Sequence, residues 1–146
     1  MGKAANSSIS LKQIHVTDNF WNKYVHLVKD VIIPYQWDIL NDKLEDVETS
    51  HCIENFKIAA GEKEGEFQGA VFQDTDVAKW LEAVGFVLNY ERDEKLEKLA
   101  DETIELIGRA QQPDGYLNTY FTIKEPDGRW SNLMEGHELY TAGHMI

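Results

Sequence analysis

The chain has one cysteine, three prolines, few bases and no long apolar run in its 146 residues. A single thiol closes no internal disulfide, so nothing in the cysteine usage points to an oxidising compartment. With 14 basic against 26 acidic side chains, the net charge is -12. That balance excludes the basic footprint of a nucleic-acid binder and disfavours an anionic membrane surface. No apolar run reaches the roughly 18 residues of a membrane span. The first eight residues, Met1 to Ser8, lack the apolar core of a signal peptide and the Ser/Thr of a myristoylation motif. The expectation is a soluble, cytoplasmic protein.

Other features argue for one folded domain. Hydrophobic residues make up 42% and aromatics 11%, enough for a core, and the length suits a single domain. Residues 1–16 read as an exposed arm. Ile9, Leu11, Ile14 and Val16 alternate only loosely, a weak signal for a short strand. Thr17 or Asp18 reads as a helix cap. Phe20, Tyr24, Leu27, Val28, Val31, Ile32 and Tyr35 follow at helical spacing, with Pro34 predicting a kink or break near Ile33. Residues 41–50 read as a polar loop. A second helix is expected from Ser50, lined by Ile53, Phe56 and Ala60 and stopped by Gly61. Gly61, Gly65 and Gly69 predict a flexible loop up to Gln73.

The clearest helix starts at Asp74, read as its N-cap, with Val77, Trp80, Leu81, Val84, Val87 and Leu88 on one face. Another begins near Asp93, with Leu96, Leu99, Thr103, Leu106, Ile107 and Ala110 as its stripe and a solvated charged face opposite. Pro113-Asp114-Gly115 is a turn. Residues 116–135 read as irregular and aromatic-rich. A fifth helix is expected from Gly136, and it reaches Ile146 without a stop signal, which predicts a truncated chain. Strand–helix alternation and a phosphate loop are both missing.

The chemistry is sparser. His137-Glu138 opens like a zincin motif, but Thr141 stands where the second histidine belongs. His137 and His144 share a helix face roughly 10 Å apart along the axis, too far for one zinc with bonds of about 2 Å. Each is able to line a cavity wall or to pack a helix interface. Cys52 reads as a small buried apolar group. Asp74 and Asp76 suit the first helical turn, yet either is able to reach a sugar hydroxyl. Trp37, Phe72, Tyr116, Tyr120, Phe121 and Trp130 lie outside the strongest helical stripes. Aromatics beside polar groups suit a sugar cleft, and equally an ordinary loop packed over helices.

Several strings carry a resemblance together. They are Val31-Ile32-Ile33-Pro34-Tyr35-Gln36-Trp37, Phe56-Lys57-Ile58-Ala59-Ala60-Gly61, the run from Gly69 to Glu82, Ala110-Gln111-Gln112-Pro113-Asp114-Gly115-Tyr116-Leu117, and His137-Glu138-Leu139-Tyr140-Thr141-Ala142-Gly143-His144. In this order the chain resembles the N-terminal part of β-L-arabinofuranosidases of glycoside hydrolase family 127, over roughly residues 9–146. The resemblance implies an all-α fold, a partial (α/α)6 toroid of four to five helices with long aromatic-rich loops, formed by residues 17–146. It implies a retaining glycosidase in which a zinc-bound cysteine is the nucleophile and a glutamate the acid/base, both downstream of this chain. No catalytic residue, metal ligand or cofactor is therefore expected within it; zinc is expected in the full-length parent.

What the resemblance assigns to this segment is a sugar-binding wall. His137 matches a residue that contacts arabinose and Phe72 one near the pocket, with Gln73, Asp74 and Trp37 added to the set. His144 is assigned to packing. The implied partner is a small L-arabinofuranoside-like sugar, with no nucleic acid or membrane, and the isolated fragment is expected to be inactive and to self-associate. Two alternatives stand beside this: a toroid glycosidase acting on another sugar, and a small non-catalytic helical module binding a carbohydrate or a protein.

Overall fold

The computed structural model describes residues 9–146, so the reading of Met1 to Ser8 lies outside the described residues. Among the described residues the secondary structure is helical throughout. In place of the short strand, Leu11–Gln13 forms a 3-10 turn; the loose alternation there had no partner strand to pair with.

Asp18 opens the first helix as expected. Its Oδ1 accepts from the backbone N–H groups of Phe20 (3.0 Å) and Trp21 (2.8 Å). Helix α1 (Trp21–Leu27) then passes through a π-helical turn, Val28–Ile32, directly into α2 (Ile33–Leu40). The expected break at Pro34 is absent. Proline brings no N–H and its ring crowds the carbonyl four residues back. The wider turn, in which the Ile33 N–H reaches back five residues to the Val28 carbonyl, accommodates this while the helix continues.

The loop over 41–51 is pinned by Asp42, whose carboxylate accepts from the Ser50 N–H (2.6 Å) and the His51 N–H (3.0 Å). Helix α3 (Cys52–Ala59) follows, and Gly61 leaves it with φ +72°. The glycine-containing loop behind it is held as well. Buried Asn55 donates to the Gln68 carbonyl at 2.8 Å and accepts the Gln68 N–H at 3.2 Å. Glycine content alone gave no sign of that clamp.

Helix α4 (Asp74–Tyr90) is the centre of the fold, packing against α2, α3 and the later α8, and meeting α5 (Glu94–Ala110). Asp93 caps α5 through the N–H groups of Lys95 and Leu96. Phe56, Val77, Val84, Trp80, Leu106 and Ala110 are buried in the shared core with Ile33 and Leu40. Burial of each large side chain contributes about 1.5–3 kcal/mol. Trp80 adds a buried bond from Nε1 to the Ile33 carbonyl (3.1 Å) and lies 4.5 Å from the Trp37 ring.

Residues 116–135 are more ordered than expected. They contain α6 (Thr119–Ile123), a 3-10 turn at Pro126–Gly128 and most of α7 (Leu133–Gly136). Helices this short carry no readable 3.6-residue period, but their caps are real: Asn118 accepts from the Phe121 N–H and Asn132 from the Glu135 N–H. Helix α8 (Glu138–Met145) is set off from α7 by His137, at φ 50° and ψ 22°.

Candidate sugar-binding wall

Two segments distant in sequence meet at one corner. Phe72 ends the loop entering α4, and His137 forms the joint between α7 and α8. Their rings meet edge to face, centroids 5.2 Å apart at 76°. Phe72 remains exposed, and Tyr140, one turn into α8, faces His137 at 6.3 Å and His144 at 4.8 Å. The left-handed backbone of His137 costs a residue with a Cβ roughly 1–2 kcal/mol, so the surrounding contacts hold it there.

A polar chain extends from this corner along α4. The Lys79 ammonium lies 5.6 Å from the Tyr140 ring centroid and donates to Thr75 Oγ1 (3.1 Å) and Asp76 Oδ1 (3.3 Å). Gln73 Nε2 donates to Asp76 Oδ2 (2.9 Å) and Ser50 Oγ (3.3 Å), while its Oε1 accepts the Ala70 N–H. Gln73, Asp76 and Lys79 line an open cleft of about 640 Å³ together with Gln36, Ser50 and Trp80. That volume lies in the range of small-molecule sites. It presents hydroxyl, amide, carboxylate and ammonium groups beside an indole, a set that suits a polyol with an apolar ring face.

Of the five residues named from sequence, Phe72 and His137 are brought together, and of these three only Gln73, next to Phe72 in the chain, lines the cleft. Asp74 and Trp37 are placed elsewhere. Trp37 packs on Trp80 and borders a separate hollow with Pro34, Asp38 and Leu96. Asp74 is the first residue of α4, not a side-chain cap before it, and it is 1% exposed. Both its oxygens are taken by Thr119, one by the N–H (2.6 Å) and one by the hydroxyl (2.5 Å). Burial pushes its pKa up to about 6, against the downward pull of those two bonds. Asp74 therefore ties α6 to the first turn of α4, directly behind Phe72 and Gln73.

Glu138 is the second buried carboxylate. One oxygen accepts from the Tyr116 hydroxyl and the other from the Trp130 N–H at 2.7 Å. Burial and the adjacent Glu138 push the Tyr116 phenol well above its usual range, so Tyr116 remains a donor. The Arg129 guanidinium covers the Tyr116 ring 4.1 Å from its centroid. Sequence reasoning missed Gln36, Ser50 and Lys79 on the cleft, Tyr140 beside His137, and Glu138 as an anchor. Lys79 and Tyr140 are one helical step from residues it did name, but a polar residue on a helix reads as solvated face until the neighbouring element is in place.

Cys52 is fully buried and donates to the Gln73 carbonyl at 3.3 Å. Burial, then the Asp74 carboxylate, pushes its thiol well above the ordinary value, the opposite of what a thiolate ligand or nucleophile requires. Among the described residues there is no group of three or more His, Cys, Asp or Glu placed to hold a metal ion. The residues present do not fit a zinc centre, and no chemical step runs through one in this segment.

Residues 13–146 match the family model described as the β-L-arabinofuranosidase GH127 catalytic domain. A non-reducing end β-L-arabinofuranosidase of Bifidobacterium longum subsp. longum is 40% identical, over 91% of this chain and 23% of its own length. The crystal structure of a GH127 β-L-arabinofuranosidase from Geobacillus stearothermophilus T6 superimposes with a TM-score of 0.89 at 63% identity, over 91% of this chain and 21% of that one. A second GH127 structure, a β-arabinofuranosidase, gives a TM-score of 0.82 at 32% identity, covering 94% of this chain and 22% of that one. The chain thus spans under a quarter of the length of these relatives. It belongs to the β-L-arabinofuranosidase GH127 family, and its helices form part of an (α/α)6 toroid.

Proposed function

We propose that this segment supplies one wall of the arabinofuranoside pocket in a longer GH127 glycoside hydrolase. His137 and Phe72 touch the sugar, and Gln73, with the cleft beside it, reaches its hydroxyls. The observation that carries the reading is the edge-to-face meeting of Phe72 and His137. It joins a hydrogen-bonding imidazole to an apolar ring one residue before Gln73, which lines a cleft of sugar size. An imidazole nitrogen donates to or accepts from a hydroxyl, and Phe72 offers the apolar surface on which a furanose ring rests. Asp74 and Thr119 hold the Phe72–Gln73 corner from behind without touching the sugar. Trp37 supports the same wall through Trp80.

The zinc–thiolate nucleophile and the glutamate acid/base implied by the family belong, in this reading, to parts of the longer protein outside this segment. The segment alone is therefore inactive. Phe20, Trp21, Tyr24, Val31 and Tyr35 expose apolar surface on α1, α2 and the turn between them, and in isolation that surface drives self-association.

The test is hydrolysis of a β-L-arabinofuranoside by the longer protein and by its His137→Ala and Phe72→Ala variants. Loss of one sugar hydrogen bond, worth about 0.5–1.5 kcal/mol, lowers kcat/KM by up to about tenfold for His137→Ala. Unchanged kinetics in both variants would remove this corner from the pocket.

A further inference from the structure

We infer that Glu138 is the positioning residue for His137. Its buried carboxylate bolts Tyr116 and the Trp130 backbone to the start of α8, and that bolt fixes the direction in which the imidazole meets Phe72. The inference rests on the reading of His137 as a sugar-contacting residue.

A non-glycine residue in the left-handed region persists only where its surroundings over-determine it. His137 is such a residue, at φ 50°, and three contacts hold it. On its N-terminal side, Gly136 lies flush against Phe121: a Cβ there would be 2.9 Å from Phe121 Cζ. On its C-terminal side, its own carbonyl accepts the Thr141 N–H at 2.9 Å and so starts α8. The third contact is through the next side chain. Glu138 is 2% exposed, and its oxygens are used by Tyr116, 22 positions earlier, and by the Trp130 N–H, 8 positions earlier. Trp130 is itself left-handed, at φ 61°. Two strained residues, Trp130 and His137, are thus joined through one buried carboxylate.

An ordinary acidic residue in a first helical turn serves the helix dipole from the surface. Glu138 does not need burial or long-range partners for that. Each of its oxygens already holds one hydrogen bond, and it borders a hollow with Tyr116 and Trp130 that is distinct from the cleft lined by Gln73. If the bolt is removed, His137 is free to relax toward negative φ, and its ring leaves Phe72.

The experiment uses the longer GH127 enzyme carrying this segment. Glu138→Ala, His137→Ala and the double variant are compared on a β-L-arabinofuranoside, with Glu138→Gln and Tyr116→Phe alongside. Glu138→Ala is expected to lower kcat/KM about tenfold and to add no further loss in the His137→Ala background. Glu138→Gln keeps an acceptor for the Trp130 N–H and a donor for the Tyr116 hydroxyl, and is expected to recover most of the activity. Tyr116→Phe removes one bond of two and falls between. Nuclear magnetic resonance of labelled histidine rings supplies a readout independent of turnover: in Tyr116→Phe the ring-current shift that Phe72 imposes on His137 shrinks, while the His51 signal stays.

Full additivity of Glu138→Ala and His137→Ala, or an unmoved His137 signal in Tyr116→Phe, would overturn the positioning role while leaving His137 in the pocket. Unchanged kinetics for His137→Ala would overturn both. Should Glu138→Ala not fold, the Glu138→Gln and Tyr116→Phe pair decides by the same His137 signal and kinetics.

Discussion

Asp74→Asn should make the fold more stable at neutral pH than the wild-type chain. The Asp74 carboxyl is 1% exposed, and burial raises its pKa from an ordinary 3.8 to about 6. A raised folded-state value means the folded chain binds the proton more tightly than the unfolded chain. The favourable contribution is then complete below about pH 4, and it is lost as pH rises through about 6. At about 1.4 kcal/mol per pH unit, the loss over that window comes to about 3 kcal/mol. Asparagine imitates the protonated acid. Its Oδ1 accepts the Thr119 N–H, and its amide donates to the Thr119 hydroxyl, which turns to accept.

Urea unfolding of both proteins, followed by tryptophan fluorescence from about pH 4 to pH 8, isolates the effect, since all other carboxylates are common to the pair. The stability gap should open in favour of Asp74→Asn between about pH 4 and pH 6 and stay constant above. A gap independent of pH would refute the burial argument. A gap opening in favour of the wild type as pH rises would mean that the two Thr119 bonds hold the carboxyl below its ordinary value.

Thr119→Val deletes the hydroxyl donor to the same carboxylate; it should raise the Asp74 pKa further, read by carboxyl carbon resonances, and cost about 1.5–3 kcal/mol at neutral pH. Trp80→Phe loses the Nε1 bond to the Ile33 carbonyl and leaves that acceptor unpaired, with an expected cost of about 1–3 kcal/mol by urea unfolding. Gly136→Ala places a Cβ against Phe121 and should destabilise by about 1–3 kcal/mol, whereas an unchanged unfolding midpoint would show that the Phe121 ring moves aside without cost. Cys52, buried with a raised thiol pKa, should resist a thiol reagent in the native state and react on unfolding; rapid native labelling would contradict its burial.

The long helices were legible because they carry what a sequence can show. Val77, Trp80, Val84 and Val87 mark one face of α4, and Asp93 and Gly61 are local signals that bind or bend the backbone where they stand. Pro34 was legible as a problem but not in its solution, because a π-helical turn depends on how Val28 and Ile33 bond across it. The short helices α6 and α7 were hidden for the opposite reason: five and four residues span too little of a period to stand out. At the candidate wall, Phe72 and His137 were each named from the family resemblance and not from spacing, and their ring contact was not foreseen. The reading of Asp74 as a helix cap was overturned. An acid at a helix start reads as exposed, and only the approach of Thr119 from 45 positions away explains why it is inside. Glu138 was passed over for the same cause, since its partners Tyr116 and Trp130 reach it through the tertiary fold.

The most direct test is a crystal structure of the longer GH127 protein with L-arabinose bound. The account predicts a sugar hydroxyl within hydrogen-bond distance of a His137 ring nitrogen, Phe72 against the furanose ring, and Glu138 still joined to Tyr116 and the Trp130 backbone. Arabinose bound with His137 and Phe72 out of contact would contradict the assignment of this segment to the pocket wall.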